Sequence, residues 1–267
     1  MTETSGQRPA RAALVTGASR RIGAAIARGL AAEGWRVAVH YNRSADAANE
    51  TVAAIEAAGG TASAVRADLA DAAALPALVA GAEAAVGPLS CLVNNASLFA
   101  PDTVATITAA GFDAHMAVNL RAPLLLAQEF AARLDPAAAR GVVVNILDQK
   151  LANMNPDFAS YTLSKAGLEA ATRMLALALA PRVRVVGVAP GLTLPWDAQA
   201  DDGRPVRPFD AVHDATPLRR GATPQDIAGA VCYLATADAI TGATLLVDGG
   251  QHLQPSPHDV MFEPERK

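Results

Sequence analysis

The stretch "VTGASRRIG", Val15 to Gly23, closes a short apolar run, "AALVT" at 12 to 16, and opens a helical pattern at 21 to 33. A strand, a glycine-bearing turn and a helix in that order aim backbone N–H groups and the positive helix end at an anionic ligand. Gly17 and Gly23 give room for its close approach. One residue disagrees: Arg21 puts a long charged side chain where a second glycine would ease the turn. Taken alone the turn decides nothing, because many α/β proteins carry one and bind no nucleotide.

Outward from this turn, apolar runs recur: "RVAVH" (36 to 40), "TASAVRA" (61 to 67), "SCLVNN" (90 to 95), "GVVVNIL" (141 to 147), "RVRVVGVA" (182 to 189) and "ATLLVD" (243 to 248). Alanine-rich amphipathic segments separate them near 44 to 58, 71 to 86, 111 to 134, 158 to 180 and 224 to 236. Strands apolar at consecutive positions bury both faces, and parallel pairing needs a helix-length crossover after each. The alternation predicts an α/β fold: a single Rossmann-like, doubly wound domain over 12–253, with about seven parallel strands and helices on both faces. Residues 1–11 read as a flexible N-terminal segment. The Pro-, Gly- and Asp-rich stretch 191–223 follows a strand end and predicts a long substrate lid loop carrying Trp196 and Phe209. Residues 254–267, punctuated by three prolines, read as an irregular C-terminal tail.

The 267 residues are 51% hydrophobic and carry 22 Lys+Arg against 26 Asp+Glu, the balance of an ordinary globular protein. No basic block or stripe predicts a nucleic-acid surface. No apolar run reaches the ~18 residues of a membrane span, and "MTETSGQRPARAA" has no apolar core of signal-peptide length, so the expected location is the cytoplasm. Cys91 and Cys232 lack ligand spacing, which predicts no metal site and two buried, unpaired thiols.

Two stretches suggest chemistry. The second strand ends "VHYNRSA", with no acidic residue at its tip to take a ribose 2′-hydroxyl. Arg43 and Ser44 offer a guanidinium fork and a hydroxyl suited to a 2′-phosphate, which favours NADPH; a solvated arginine beside an N-cap serine is the simpler alternative. In "SYTLSK", Tyr161 and Lys165 stand four apart, on one helix face. A lysine ammonium beside a phenol lowers its pKa toward working pH, as a general acid requires, although such a pair also occurs on solvated helix faces. Asp148 and "NNAS" at 94 to 97 follow strand ends, where α/β ligand sites form. Asn119 lies in an otherwise apolar helical run, where it serves the site or is a satisfied core asparagine.

From about Ala12 to Leu253 the chain resembles the short-chain dehydrogenase/reductases, through the glycine turn, "DL" at 68 to 69, "NNA" at 94 to 96, Asn119, the Tyr161 and Lys165 pair, "PG" at 190 to 191 and "DGG" at 248 to 250. The resemblance implies Tyr161 as proton donor, Lys165 on the nicotinamide ribose, Asn119 holding a relay water with Lys165, and Asp148 as a fourth catalytic group. Asp68 and Leu69 would lie near the adenine, and Asn94, Asn95 and Ala96 along the cofactor. Gly17, Arg20, Arg21, Ile22 and Gly23 would hold its pyrophosphate. Tyr41, Asn42, Arg43 and Ser44 would take its 2′-phosphate side, and Ser97, Pro190 and Gly191 complete the expected wall. The family also implies a homotetramer, with the 111 to 134 and 158 to 180 helices at its main interface.

Two departures narrow the resemblance. The usual pattern has glycine at Arg21 and serine at Asp148; both substitutions resemble the pteridine reductase branch, including bacterial dihydromonapterin reductases that also reduce dihydrofolate. "HYNRSA" and "NNASLF" fit that branch too. A pterin is flat and rich in donors and acceptors, so Phe99 is expected to stack on it, with core packing the alternative, and Arg21, Ser97, Asp148 and Tyr161 to contact it. Arg21 would reach both pyrophosphate and pterin, unless it swings to solvent and Arg20 holds the phosphate. An ionised carboxylate cannot donate to a ketone oxygen, which matters less for a C=N bond. The expected activity is NADPH-dependent reduction of dihydromonapterin, dihydrobiopterin or dihydrofolate. A carbonyl or 3-oxoacyl-thioester reductase of the same fold and a non-catalytic NADPH-binding regulator are the other readings.

Overall fold

The computed structural model describes residues 11–134, 140–195 and 206–262. Seven parallel strands, β1 (Ala12–Val15), β2 (Arg36–Tyr41), β3 (Thr61–Arg66), β4 (Cys91–Asn94), β5 (Gly141–Ile146), β6 (Val183–Pro190) and β7 (Thr244–Val247), form one sheet in the order β3-β2-β1-β4-β5-β6-β7. Chain direction across the sheet reverses between β1 and β4. A doubly wound sheet opens a crevice at that switch point, outside the carboxyl ends of its strands.

Strand residues alternate between two cores because successive side chains point to opposite faces. On one face Ala13, Val15, Val37, Val39, Cys91 and Val93 pack against α1 (Arg21–Ala32), α2 (Ala45–Ala57) and α8 (Pro224–Thr236). On the other, Ala12, Leu14, Ala38, Leu92 and Val143 meet α3 (Leu75–Val86) and α5 (Ala122–Arg133). α6 (Ala159–Ala178) adds Ala176 to that second core. Nearly every residue of β1, β2, β4, β5 and β6 is buried on one face or the other, which is why those runs read as continuously apolar, whereas β3 is partly exposed. β7 is different: Leu245 and Leu246 of this edge strand are exposed. Cys91 and Cys232 are free thiols, but only Cys91 is buried; Cys232 is half-buried on α8.

Four expectations are refined. The single run 111 to 134 is split into α4 (Ala109–Met116), a π turn (Ala117–Arg121) and α5. Pro123 has no N–H to donate to the Asn119 carbonyl, and the helical ladder changes register there. The lid is not plain loop, since α7 (Phe209–Asp214) forms after Pro208, with the Phe209 ring against His213 at 4.0 Å; Trp196 lies outside the described residues. The tail is irregular but packed: Met261 and Phe262 are buried, and Phe262 pairs with Val206 of the lid in an antiparallel bridge. At the other end, Arg11 stacks its guanidinium over Trp35 at 4.7 Å, so it belongs to the fold. Among the described residues, no helix is long and apolar enough to cross a membrane.

Candidate active site

The carboxyl ends of β1, β4, β5 and β6 open into a cavity of about 670 Å³. On its β1 side the two strand-end turns are pressed together. A Cβ on Gly17 would stand 2.9 Å from Ala96 Cα, and one on Gly23 only 2.2 Å from the Gly17 carbonyl oxygen and 2.6 Å from Asn95 Nδ2. Gly17 also takes φ +62°, in the left-handed region that glycine enters freely. Thr16 Oγ1 accepts from the Asn95 and Ala96 amides at 2.9 and 3.0 Å, and Asn95 Nδ2 donates to the Thr16 carbonyl at 2.8 Å.

His40 reaches into the same turn. The Gly17 amide donates to its Nδ1 at 3.0 Å, so Nε2 carries the ring hydrogen and donates to the Ala67 carbonyl at 3.2 Å. Burial lowers its pKa to about 4, against a smaller upward pull from the Ala67 hydrogen bond and the Asp68 charge, and the ring is neutral at pH 7. Neither Thr16 nor His40 is among the sequence-predicted site residues; a histidine inside the apolar run "RVAVHY" was the available signal.

Arg21 adopts φ +55°, the conformation of the glycine it replaces. Its guanidinium lines the cavity and donates to the Pro195 carbonyl at 3.3 Å, so the β1 turn touches the start of the lid. Arg20, Ile22, Asn42, Arg43 and Ser44 line the same end, and Ser44 stands before α2 without making a side-chain capping bond. Pro190 and Gly191 form the β6 side.

The structure does not bring four expected cofactor contacts to the cavity wall. Tyr41 packs on the first core, and Leu69 is buried in the second. Asp68 is exposed, and its carboxylate turns back to accept from the Ala70 amide at 3.0 Å. Asn94 is buried, donating to Asn145 Oδ1 at 2.8 Å, which passes the chain on to Thr172. A polar side chain at a strand end spends its hydrogen bonds on whatever lies nearest, and for these residues that is the protein itself.

The catalytic side is assembled by α6. Tyr161 is buried and its Oη donates to Asp148 Oδ2 at 2.6 Å, while Asp148 Oδ1 accepts from the Lys150 amide at 2.8 Å. Lys165 donates from Nζ to the Ile146 carbonyl at 2.7 Å, and that ammonium stands 5.7 Å over the Tyr161 ring. Lys165 is not the group that sets the phenol's pKa here. Burial and then the Asp148 charge hold Tyr161 well above its ordinary value, because the phenol's proton is directed at a carboxylate and the ammonium at a carbonyl. Burial also pushes the Asp148 carboxyl up, opposed by its bond from Tyr161, and lowers Lys165 to about 8. Tyr161 and Asp148 thus form a hydrogen-bonded pair in which burial favours keeping protons.

Asn119 does not meet Lys165. Its Oδ1 accepts from the Leu98 amide at 2.7 Å and from Ser97 Oγ at 3.3 Å, and its Nδ2 donates to the Leu98 carbonyl and Ser164 Oγ. With its side-chain amide committed to these partners and no exposure, it holds the Ser97–Leu98 backbone at the cavity edge. Next along, Phe99 lines the cavity, stacked on Phe158 at 4.4 Å and edge-on to Tyr161 at 4.7 Å. From the tail, Asp259, Val260 and Met261 line the cavity together with Asp148 and Tyr161. Among the described residues no group of three His, Cys, Asp or Glu side chains could hold a metal.

The family described as enoyl-(acyl carrier protein) reductase matches residues 17–252. Among solved structures, alternative dihydrofolate reductase 1 (FolM) from Brucella canis, complexed with NADP, is 43% identical with a TM-score of 0.85, over 92% of this chain and 95% of that one. A short-chain dehydrogenase/reductase from Serratia marcescens is 34% identical with a TM-score of 0.79, over 91% and 98%. A 3-oxoacyl-[acyl-carrier-protein] reductase from Synechocystis is 36% identical, over 90% of this chain and 96% of that protein.

Proposed function

Because the chain belongs to the short-chain dehydrogenase/reductase family, we propose that it is an NADPH-dependent reductase that adds hydride to a C=N bond of a dihydropterin or of dihydrofolate. The observation that carries this reading is the 2.6 Å hydrogen bond from the Tyr161 phenol to Asp148, a carboxylate where a carbonyl reductase of this type presents a serine hydroxyl. The NADP-bound alternative dihydrofolate reductase among its relatives supports it.

The crevice fits the cofactor by its own geometry. Gly17 and Gly23 leave a cradle that any Cβ would fill, α1 begins without a side-chain cap, and Arg43 and Ser44 line the end where a 2′-phosphate lies. When bound, NADPH supplies the hydride. The chain supplies the proton: Tyr161 gives it to the ring nitrogen as the adjacent carbon becomes saturated, and Asp148, in its protonated form, which burial favours, returns a proton to the phenolate and is itself reprotonated from solvent. Lys165 would steady that phenolate with its charge and hold the nicotinamide ribose, and Phe99 would offer a flat face to the pterin. In this reading the enzyme is a homotetramer, in keeping with exposed Met174 and Leu177 on α6; a light-scattering mass of one chain contradicts that part.

A second reading, reduction of a 3-oxoacyl thioester, draws on relatives such as the Synechocystis reductase. NADPH oxidation with dihydromonapterin, dihydrobiopterin, dihydrofolate and an acetoacetyl thioester side by side separates the two. Turnover of the pterins or dihydrofolate is the expected result, and turnover of the thioester alone overturns the assignment.

A further inference from the structure

Lys150 carries a charge where the fold has no solvent to give it: only 3% of the residue is exposed. An ammonium so placed needs fixed partners. It finds Asn155 Oδ1, the face of the Phe158 ring at 5.6 Å, and one countercharge, Asp259 Oδ2 at 2.8 Å. That countercharge comes from 109 residues further along, in the segment whose sequence reads as loose tail.

The rest of the segment is fastened around this pair. The Asp259 amide donates to Asp157 Oδ2 at 2.8 Å, and Asp259 Oδ1 accepts from the Met261 amide at 3.2 Å. The Phe262 ring stacks over Phe158 at 6.0 Å, and the Arg207 amide of the lid donates to the Met261 carbonyl at 2.7 Å, beside the Val206–Phe262 bridge. Val206 and Arg207 are therefore fastened to the tail, and Lys150 is the socket of the tail, whose Asp259, Val260 and Met261 line the cavity. The same lysine holds the proton-delivering pair, since its backbone amide binds Asp148 Oδ1.

We propose that Asp259 is a positioning residue for proton delivery: docked on Lys150, whose amide holds Asp148, it seats the C-terminal segment beside the Asp148–Tyr161 pair and shapes the charge that pair experiences. The charged and titratable groups around the pair are Lys165 on α6, Lys150 after β5 and Asp259 on the tail, with Asp157 and His258 behind Asp259. Asp259 is the second carboxylate near Asp148, and its charge helps both Asp148 and Tyr161 keep their protons. The inference uses Tyr161 as the acid and holds for either substrate class.

The test compares wild type with Asp259→Asn and Asp259→Glu. Turnover is followed from pH 5 to 10 with whichever of dihydrofolate and acetoacetyl thioester the wild type reduces, and backbone hydrogen exchange is followed without substrate. In Asp259→Asn the acid loses its proton more readily, so the alkaline limb of kcat/KM moves to lower pH by about half to one unit. KM for the acceptor rises about 5-fold or more while the NADPH Kd changes less than about 2-fold, and amides 206–214 and 259–262 exchange about 10-fold faster with the sheet unchanged. Asp259→Glu recovers most of each effect. An unmoved pH profile together with unmoved exchange overturns the proposal, whatever the substrate proves to be. If Asp259→Asn does not fold, the wild type decides: the Asp259 and Arg207 amides are expected to be protected, and exchange at the rate of a frayed terminus refutes the seat.

Discussion

The glycine turn and the C-terminal segment face one another across a single cavity and are held by opposite means. The turn is fixed by backbone: Gly17 and Gly23 leave no room for a Cβ, and Thr16, Asn95 and His40 bind main-chain groups within 3.3 Å. The C-terminal segment is fixed chiefly by side chains, through a buried ion pair and stacked rings, with the Arg207–Met261 backbone bond beside them. Backbone packing tolerates little change, and the one titratable group that binds the turn, His40, is neutral at pH 7. An ion pair can be released by protonation, mutation or competition.

Substitutions test that contrast. The largest effect is expected on the side-chain half: Tyr161→Phe removes the proton donor and lowers kcat by roughly 10³-fold or more, with NADPH binding by fluorescence titration unchanged. A cofactor affinity that fell in parallel would place Tyr161 in binding rather than in chemistry. The backbone half has one titratable weak point, His40. Its pKa is about 4 in the fold and ordinarily 6.5, so the unfolded chain takes up its proton first as pH falls. The stability it contributes is whole above about pH 6.5 and is lost between there and pH 4, amounting to roughly 2–3 kcal/mol by pH 4.5. Urea unfolding at pH 7 and pH 4.5 measures it: the loss on acidification should be smaller by that amount in His40→Asn. The smallest effect belongs to Arg21→Gly, which relieves a left-handed arginine and raises stability by about 1 kcal/mol at most, while the contact with Pro195 disappears. A Tm that falls in this variant shows that the side chain contributes more than its backbone conformation costs.

The opening arginine shows how far the sequence reaches. Its oddity in "VTGASRRIG" was visible, and φ +55° explains why glycine is the usual occupant. That its guanidinium reaches the lid at Pro195, 174 residues away, was not. The seven strands were legible because burial on both faces leaves a continuous apolar run, and the helices because their apolar stripe repeats. Tyr161 and Lys165 were legible because four residues on a helix is one face. The partners of Asn119 were not legible, because an amide in an apolar helix announces only that it has partners, not which ones. Nor were those of Asp68 and Asn94, because motif position says nothing about where a short polar side chain turns.

The sequence by itself determined the doubly wound sheet, the crevice after β1 and the helix that carries the tyrosine and lysine, since each rests on local periodicity or on spacing within one element. Only the tertiary structure decided that Tyr161 gives its hydrogen bond to Asp148, that His40 holds the glycine turn, and that Asp259 returns to Lys150. These depend on the direction in which a side chain leaves its backbone and on which distant charge fills a site closed to water, and neither is encoded at any fixed separation along the chain.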